Sequence, residues 1–344
     1  LVRQRYTAFG GAERFVAAAL ESLAREGVAL RLYTRSWPKG EVPYEVVKLD
    51  PPYLGSLWRD LSFERALRRS LEAQRPTLVQ THERIRGCDI YRAGDGVHAV
   101  WLEERQRGMT AWQRLRVQSN PFHRHVLAAE RALFADPTLR AVICNSRLVM
   151  QEIERRFAFP SERLHLVYNA VDSQRYSPAL RELGVPLRQE LGLPSTAVVC
   201  LLLGSGYARK GLAAALGALP GLPRDVYLVV VGRERRLEPW RSLAQNLGVE
   251  ERVRLLGAMP DPRAALGAAD VFLLPTIYDP CPNAALEAMA CGVPVVTSTQ
   301  CGVAELLHQH GGGTACDARD LPALRAAVEA LRDRVWREQQ GAAA

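Results

Sequence analysis

The feature that most constrains this chain is an alternation, kept up along its whole length, of short apolar runs, Gly-rich or polar turns, and helix-forming segments. Ala197–Leu203 (AVVCLLL) and Tyr227–Val231 (YLVVV) show no polar–apolar alternation. Runs this short and this uniformly apolar read as strands covered on both faces, the habit of parallel sheets. Strand, turn, helix and strand in series build parallel α/β units. The rhythm occurs twice, on either side of a break near Ser177-Pro178, with no internal repeat of sequence. The expected fold is α/β, with two doubly wound parallel sheets and a cleft between them. The expected domains are residues 1–170 and 171–344.

In the first half, Gly10-Gly11 opens a helix reaching about Glu26, and Val28 to Thr34 reads as a strand. A strand before Gly10 is implied, most of it upstream of Leu1. Two adjacent glycines at a helix start let backbone approach a ligand closely. Further strands are expected over 45–49, 77–81, 141–145 and 164–167, and helices over 57–73, 127–134 and 146–157. His82 to Gly87 is a polar loop at a strand's C-terminal end, where open α/β sheets bind ligands. Asp95, flanked by Gly94 and Gly96, repeats that theme; it reads equally as a solvated loop carboxylate. The stretch from Val100 to Val126 interleaves Trp101, Met109, Trp112 and Phe122 with arginines. It reads either as an interfacial segment for an anionic membrane or as the aromatic underside of a core helix.

In the second half, Gly204-Ser205-Gly206 leads to Arg209-Lys210-Gly211 and an Ala/Leu helix. Gly-x-Gly after a strand begins like a dinucleotide fingerprint, but Arg209 stands at the third glycine. Two cations at a helix start can neutralise a diphosphate and stabilise it as it leaves. Gly232-Arg233 closes the next strand. The most telling stretch is Pro275 to Thr297, PTIYDPCPNAALEAMACGVPVVT. Pro282 and Asn283 mark a helix start, Gly292 its stop, and Val293 to Val296 a buried strand. Asp279 lies in the loop before that helix and Glu287 just over a turn inside it. The helix start between them presents backbone N–H groups and a positive dipole end, a ready phosphate site. Such an arrangement suits a sugar nucleotide: one acid for sugar hydroxyls, N–H groups for phosphates, the other acid for a ribose diol. The same spacing also fits a capping Asp followed by a packing helix.

The net charge of +8 is confined to the first half, which carries 27 basic and 19 acidic residues through Ala170 against 18 of each beyond it. That asymmetry points to an anionic partner, either acidic lipid, an anionic acceptor or nucleic acid, unless it reflects an Arg-rich codon bias. The seven cysteines show no Cys-x-x-Cys spacing, which argues against a zinc site or a disulfide framework. No apolar run is long enough to span a bilayer and no signal peptide is visible, so a cytoplasmic protein, peripheral on the inner face of the membrane, is expected.

Together these motifs resemble glycosyltransferase family 4, with the GT-B architecture of two facing Rossmann-like domains. The resemblance covers most of the chain and is strongest at Gly204-Ser205-Gly206, Arg209-Lys210-Gly211, Gly232 and the Asp279-to-Glu287 stretch with its ALEAMACGVPVV continuation. Within the family, Gly87-x-Asp89-x-Tyr91-x-Ala93-x-Asp95 is similar to bacterial lipopolysaccharide core glucosyltransferases. The resemblance implies that Arg209 and Lys210 bind the donor diphosphate and that Glu287 holds the ribose. It implies that Asp279, where the family usually has Glu, faces the donor sugar. Asn283, Ala284 and Ala285 would offer N–H groups to phosphate, and Gly204 and Gly206 would line the same site. Gly10 and Gly11 would approach the donor from the other domain. Arg233 would lie near the base and Asp95 would act on the acceptor side. Family members commonly continue past the last helix and cross back onto the first domain. This chain ends soon after Trp336, so a short or absent crossing is expected.

The implied reaction moves a hexose, best matched by glucose from UDP-glucose, to a sugar hydroxyl of a lipopolysaccharide core or similar glycan. The anomeric configuration would be retained. No Asp-x-Asp metal tripeptide occurs, and with Arg209 and Lys210 supplying charge neither metal nor cofactor is expected. The alternative is a nucleotide-sugar-binding module of the same fold with impaired chemistry, because Asp279 is shorter than Glu. A phosphorylase would need a pyridoxal phosphate lysine, and Lys210 is the only lysine near the expected cleft. No recognition motif supports nucleic acid as a partner.

Overall fold

The structure, a computed structural model, describes residues 1–5, 11–38 and 41–344, without the side chains of 11–15. It divides into two compact units, Leu1–Asn169 and Ala170–Ala344.

The N-terminal unit runs α1 (Gly11–Arg25), β1 (Arg31–Thr34), β2 (Glu45–Lys48), α2 (Gly55–Ala73), β3 (Gln80–Thr81), β4 (Ile90–Arg92), α3 (His98–Gln106), α4 (Ala111–Gln118), α5 (Pro121–Phe134), β5 (Ala141–Cys144), α6 (Arg147–Phe157) and β6 (Leu164–Leu166). Strands β3-β4-β5-β6 form one parallel sheet, and β1 and β2 pair in parallel. The segment at Val2 joins the two. It bridges Tyr33 on one side and Thr81 on the other, with Val2 donating to Gln80 O at 2.8 Å and His82 donating to Val2 O at 3.1 Å. The chain therefore reverses its winding between Val2 and β3. The polar residues that follow those two segments, Arg3 and Gln4 on one and His82 and Glu83 on the other, sit at that switch point.

The C-terminal unit runs α7 (Arg181–Glu190), β7 (Val198–Leu203), α8 (Leu212–Ala218), β8 (Val226–Val231), α9 (Glu238–Asn246), β9 (Val253–Gly257), α10 (Arg263–Ala268), β10 (Val271–Leu274), α11 (Asn283–Ala290), β11 (Val295–Ser298), α12 (Ala304–His310), β12 (Gly313–Cys316), α13 (Leu321–Ala330) and α14 (Arg334–Ala343). Its six strands are all parallel, in the order β12-β11-β10-β7-β8-β9. Every residue of β7 and β10 is buried, as their unbroken apolar runs require. Winding goes outward from β7 to β9, then returns to β10 on the other side. The switch point lies between β7 and β10. At the entry end of the same two strands, buried Asp270 accepts from Val199 N at 2.8 Å and pairs with Arg188 and Arg181. That ion-pair hub ties α7 to the sheet.

Residues 181–190, to which the sequence assigned no element, form α7 despite Gly184 and Pro186. A Cβ on Gly184 would lie 2.1 Å from the Gly267 carbonyl carbon, and one on Gly267 would lie 1.9 Å from Leu180 O. The glycines are there so that α7 and α10 can touch backbone to backbone, and this packing overrides their poor helix propensity. The arginine-rich stretch is neither one interfacial segment nor one core helix but parts of three helices. Trp101 is half-buried against His98 and His123, with ring centroids 5.3 and 5.7 Å apart, and Phe122 also packs on His123. Only α4 has no buried residue, and it exposes Trp112 and Leu115 beside Arg114 and Arg116. The chain after Trp336 stays with the C-terminal unit: α14 brings Gly341 so close to Gly292 that a Cβ would lie 2.3 Å from its carbonyl oxygen.

All seven cysteines are thiols, six of them buried. Burial pushes Cys144, Cys200 and Cys301 up to about 12, so they pack as small apolar side chains. No described helix is long and apolar enough to cross a membrane.

Candidate active site

Three strand ends meet at the switch point of the C-terminal unit. After β7, Gly204 donates to Val231 O at 2.8 Å, and Gly232 at the end of β8 packs directly on it. A Cβ on Gly232 would lie 2.2 Å from Gly204 O, so no other residue fits there. The loop after β7 is then stitched to the loop after β8. Gly206 N donates to Arg233 O at 3.3 Å, Arg233 N to Ser205 Oγ at 3.1 Å, and Tyr207 Oη to Gly232 O at 2.9 Å. Tyr207 N donates to Glu234 Oε2 at 3.2 Å. On the other side Gly211, at φ +82°, presses on Pro275, whose carbonyl oxygen would be 1.8 Å from an added Cβ. Thr276 Oγ1 and Ile277 N both donate to Arg209 O, at 2.8 and 2.9 Å. Arg209 and Lys210 are thus fixed through their backbone to the exit of β10.

Their side chains converge on one atom. Lys210 Nζ lies 2.6 Å and Arg209 Nη1 2.9 Å from Asp279 Oδ2. Lys210 and Asp279 are nearly inaccessible, at 9% and 7% side-chain exposure, whereas Arg209 is at 39%. Burial alone would raise the Asp279 carboxyl. The charges of Lys210 and Arg209 and their hydrogen bonds outweigh it and hold the carboxyl below the usual range. The Asp279 backbone is clamped as well: its N–H donates to Gln300 O at 3.0 Å and its carbonyl accepts from Gly302 N at 2.9 Å. Among the described residues no hydrogen bond falls on Oδ1.

Helix α11 begins four residues later. Pro282 stands at its N-cap and supplies no side-chain cap. Asn283 and Ala284 are half-buried at its first turn, and Glu287 is buried one turn in, at 7% exposure. One expectation is corrected here. Ala285 N donates to Pro282 O at 3.0 Å, so that N–H is taken up inside the helix. A tight first turn closes the bond locally.

In the N-terminal unit Asp95 lies in the turn after β4, exposed, with Oδ2 3.9 Å from Arg3 Nη1. The same Arg3 nitrogen is 3.7 Å from Glu83 Oε1. Burial raises the Glu83 carboxyl against the opposing charge of Arg3. Burial, with the charges of Arg3 and Arg92, pushes His82 down to about 3, so it is neutral near pH 7. Gly11 is the first residue of α1; Gly10 lies outside the described residues. The sequence reading missed Glu234, Thr276 and Gln300 in one unit and Arg3 and Glu83 in the other. Glu83 lay inside the loop already marked by strand-end position and Thr276 inside the Pro275-to-Thr297 stretch; Arg3, Glu234 and Gln300 carried no motif.

Two parallel-sheet units, one with paired cations at its switch point, have the architecture of the GT-B class of glycosyltransferases. Two family models agree: the one described as "Glycosyltransferase Family 4" matches residues 9–175, and "Glycosyl transferases group 1" matches residues 186–342. The chain belongs among these glycosyltransferases and resembles the lipopolysaccharide core enzymes. It is 25% identical over 317 residues to the lipopolysaccharide glucosyltransferase WaaG of Escherichia coli (strain K12), covering 90% of this chain and 82% of WaaG. The crystal structure of WaaG, a glycosyltransferase involved in lipopolysaccharide biosynthesis, superposes with a TM-score of 0.85 at 23% identity, covering 99% of this chain and 92% of that one. HepE from Anabaena, solved with UDP and glucose, gives 0.69 at 19% identity over 99% and 92% of the two chains.

Proposed function

We propose that this glycosyltransferase moves glucose from UDP-glucose to a sugar hydroxyl of a lipopolysaccharide core or similar cell-envelope glycan, with retention and without a metal. The observation that carries the reading is the convergence of Lys210 and Arg209 on Asp279 beside the start of α11. A UDP diphosphate seated there would meet two fixed cations and the positive end of α11 at Asn283 and Ala284. Glu287 would take the ribose diol, and Asp279 Oδ1 a donor-sugar hydroxyl. With the cations neutralising the leaving diphosphate, its own oxygen can take the acceptor proton during front-face attack. Asp95 would orient the acceptor. The choice of UDP-glucose rests on WaaG, a glucosyltransferase by name, and on HepE, solved with UDP and glucose.

The test is a thermal-shift screen of sugar nucleotides, since a ligand that binds only the folded state raises its stability. UDP-glucose should give the largest shift. Glu287→Ala should weaken UDP binding by about 1–3 kcal/mol, the scale of a lost charged hydrogen-bond pair. Equal UDP affinity in both proteins would remove the ribose role. Tight UDP-glucose binding with no turnover on any glycan would favour the impaired binding module instead.

The acceptor would be lipid-anchored, and α4 supports peripheral attachment to an anionic membrane. It offers Trp112 and Leu115 for the interface, with Arg114 and Arg116 beside them. Each cation near such a surface contributes about 1 kcal/mol, within a screening length of ~8 Å at physiological salt. Trp112→Ser with Arg114→Glu and Arg116→Glu should abolish co-sedimentation with phosphatidylglycerol-containing vesicles while leaving the fold intact, because α4 buries nothing. Binding that ignores both lipid charge and these changes would rule out α4 as the contact.

A further inference from the structure

The turn that carries Asp95 is held by a buried ion pair, whose Arg84 also feels the charge of Asp95. Arg84, after β3, donates from Nη2 to Gly96 O at 2.8 Å, one residue beyond Asp95. Its Nε donates to Glu130 Oε1 at 3.0 Å. Glu130 comes from the middle of α5 and is 2% exposed. The same carboxylate accepts from His98 N at 2.8 Å and from Ala99 N at 3.3 Å. Those are the first two residues of α3, whose own N-cap, Val97, provides no side-chain cap. A carboxylate from another helix therefore satisfies the N-terminus of α3, where its charge also complements the helix dipole. One buried anion fixes both ends of the short segment 96–99: the turn through Arg84, and the helix start directly. On the far side of Asp95, Asn145 Nδ2 donates to Gly94 O at 3.2 Å.

We propose that Glu130 and Arg84 are positioning residues for acceptor transfer, holding the Asp95 turn in place from beneath. The inference rests on the acceptor role proposed above for Asp95. An ion pair this deep is a poor source of net stability compared with apolar packing, but removing one partner leaves the other uncompensated. Its observed use here is geometric. A carboxylate in an exposed turn needs its backbone fixed to meet an acceptor in one orientation, and small displacements of such groups are costly to rate.

The test uses the full chain with UDP-glucose, and with a core oligosaccharide stripped of its hexoses as acceptor. Glu130→Gln keeps the shape but removes the charge. It should lower acceptor transfer roughly 10- to 100-fold, the scale of a misplaced reacting group. Slow cleavage of UDP-glucose by water and the affinity for UDP should stay unchanged. Amide hydrogen exchange should quicken across residues 94–99 and not elsewhere. In an Asp95→Asn background Glu130→Gln should cost nothing further, because both changes remove the same function. If Glu130→Gln does not fold, Arg84→Gln, which leaves the α3 cap in place, is read the same way. Unchanged exchange in 94–99, an equal fall in water cleavage and transfer, or additive losses with Asp95→Asn would each overturn the proposal. Loss in Asp95→Asn without loss in Glu130→Gln would overturn it while leaving the acceptor reading standing. Wild-type transfer by Asp95→Asn would overturn both.

Discussion

Lys210→Ala should lower turnover about 100-fold or more, the effect of removing a preorganised group that stabilises charge developing on a leaving group. The side chain is fixed before any donor arrives. Its stem lies against Gly204, where an added Cβ would be 2.7 Å from Lys210 Cε, and its amine is bonded to Asp279 at 2.6 Å. Its charge therefore needs no reorganisation when the diphosphate departs. Arg209→Ala should act in the same direction with a smaller effect, because Arg209 is more exposed and water screens it. Lys210→Arg should not restore activity: a planar guanidinium is wider than the ammonium that fits beside Gly204. The measurement is UDP release under saturating UDP-glucose and acceptor. Wild-type turnover in both alanine variants would remove the cations from the chemistry and leave them as an internal counter-charge for Asp279.

Local pattern made much of this architecture legible. The runs that became β7, β8 and β10 are uniformly apolar because those strands are covered on both faces, and Pro282 and Gly292 bracket α11 in chain order. Pairings across long sequence distances were not legible. Lys210 and Asp279 are 69 residues apart and Arg84 and Glu130 are 46 apart, and no periodicity in either segment encodes the partner. The sequence marked Arg209, Lys210 and Asp279 as separate members of a donor site; that one carboxylate oxygen receives both cations is a product of the β7–β10 switch point. Helix α7 was hidden for a related reason, since Gly184 answers to a contact with α10 rather than to its own helix. Tertiary contact also sorted the aromatics of the arginine-rich stretch: Trp101 and Phe122 went to a cluster around His123, and Trp112 was left outside.

Asp279→Asn should separate binding from transfer and cost stability at the same time. The substitution keeps the shape of the side chain and removes the carboxylate bonded to both Arg209 and the buried Lys210. Leaving a buried charge without its partner typically costs about 3–5 kcal/mol, so a clear fall in the denaturant midpoint is expected. The pH dependence has a fixed sign. Because the folded-state pKa of Asp279 is depressed, its contribution is fully present above the unfolded value of about 3.9 and is lost as pH falls through the lower folded value. The stability gap between wild type and Asp279→Asn should therefore hold steady from neutral pH to roughly pH 4 and close below it. UDP should bind the variant at least as tightly as wild type, because the diphosphate no longer competes with a carboxylate for Lys210 and Arg209. It should also raise the variant's melting temperature more than the wild type's. Glucose transfer should nevertheless fall, since the oxygen assigned to the donor sugar has become part of a neutral amide. Loss of UDP binding in parallel with transfer would show that Asp279 serves only to hold the cations in place, and the sugar contact would have to be sought elsewhere.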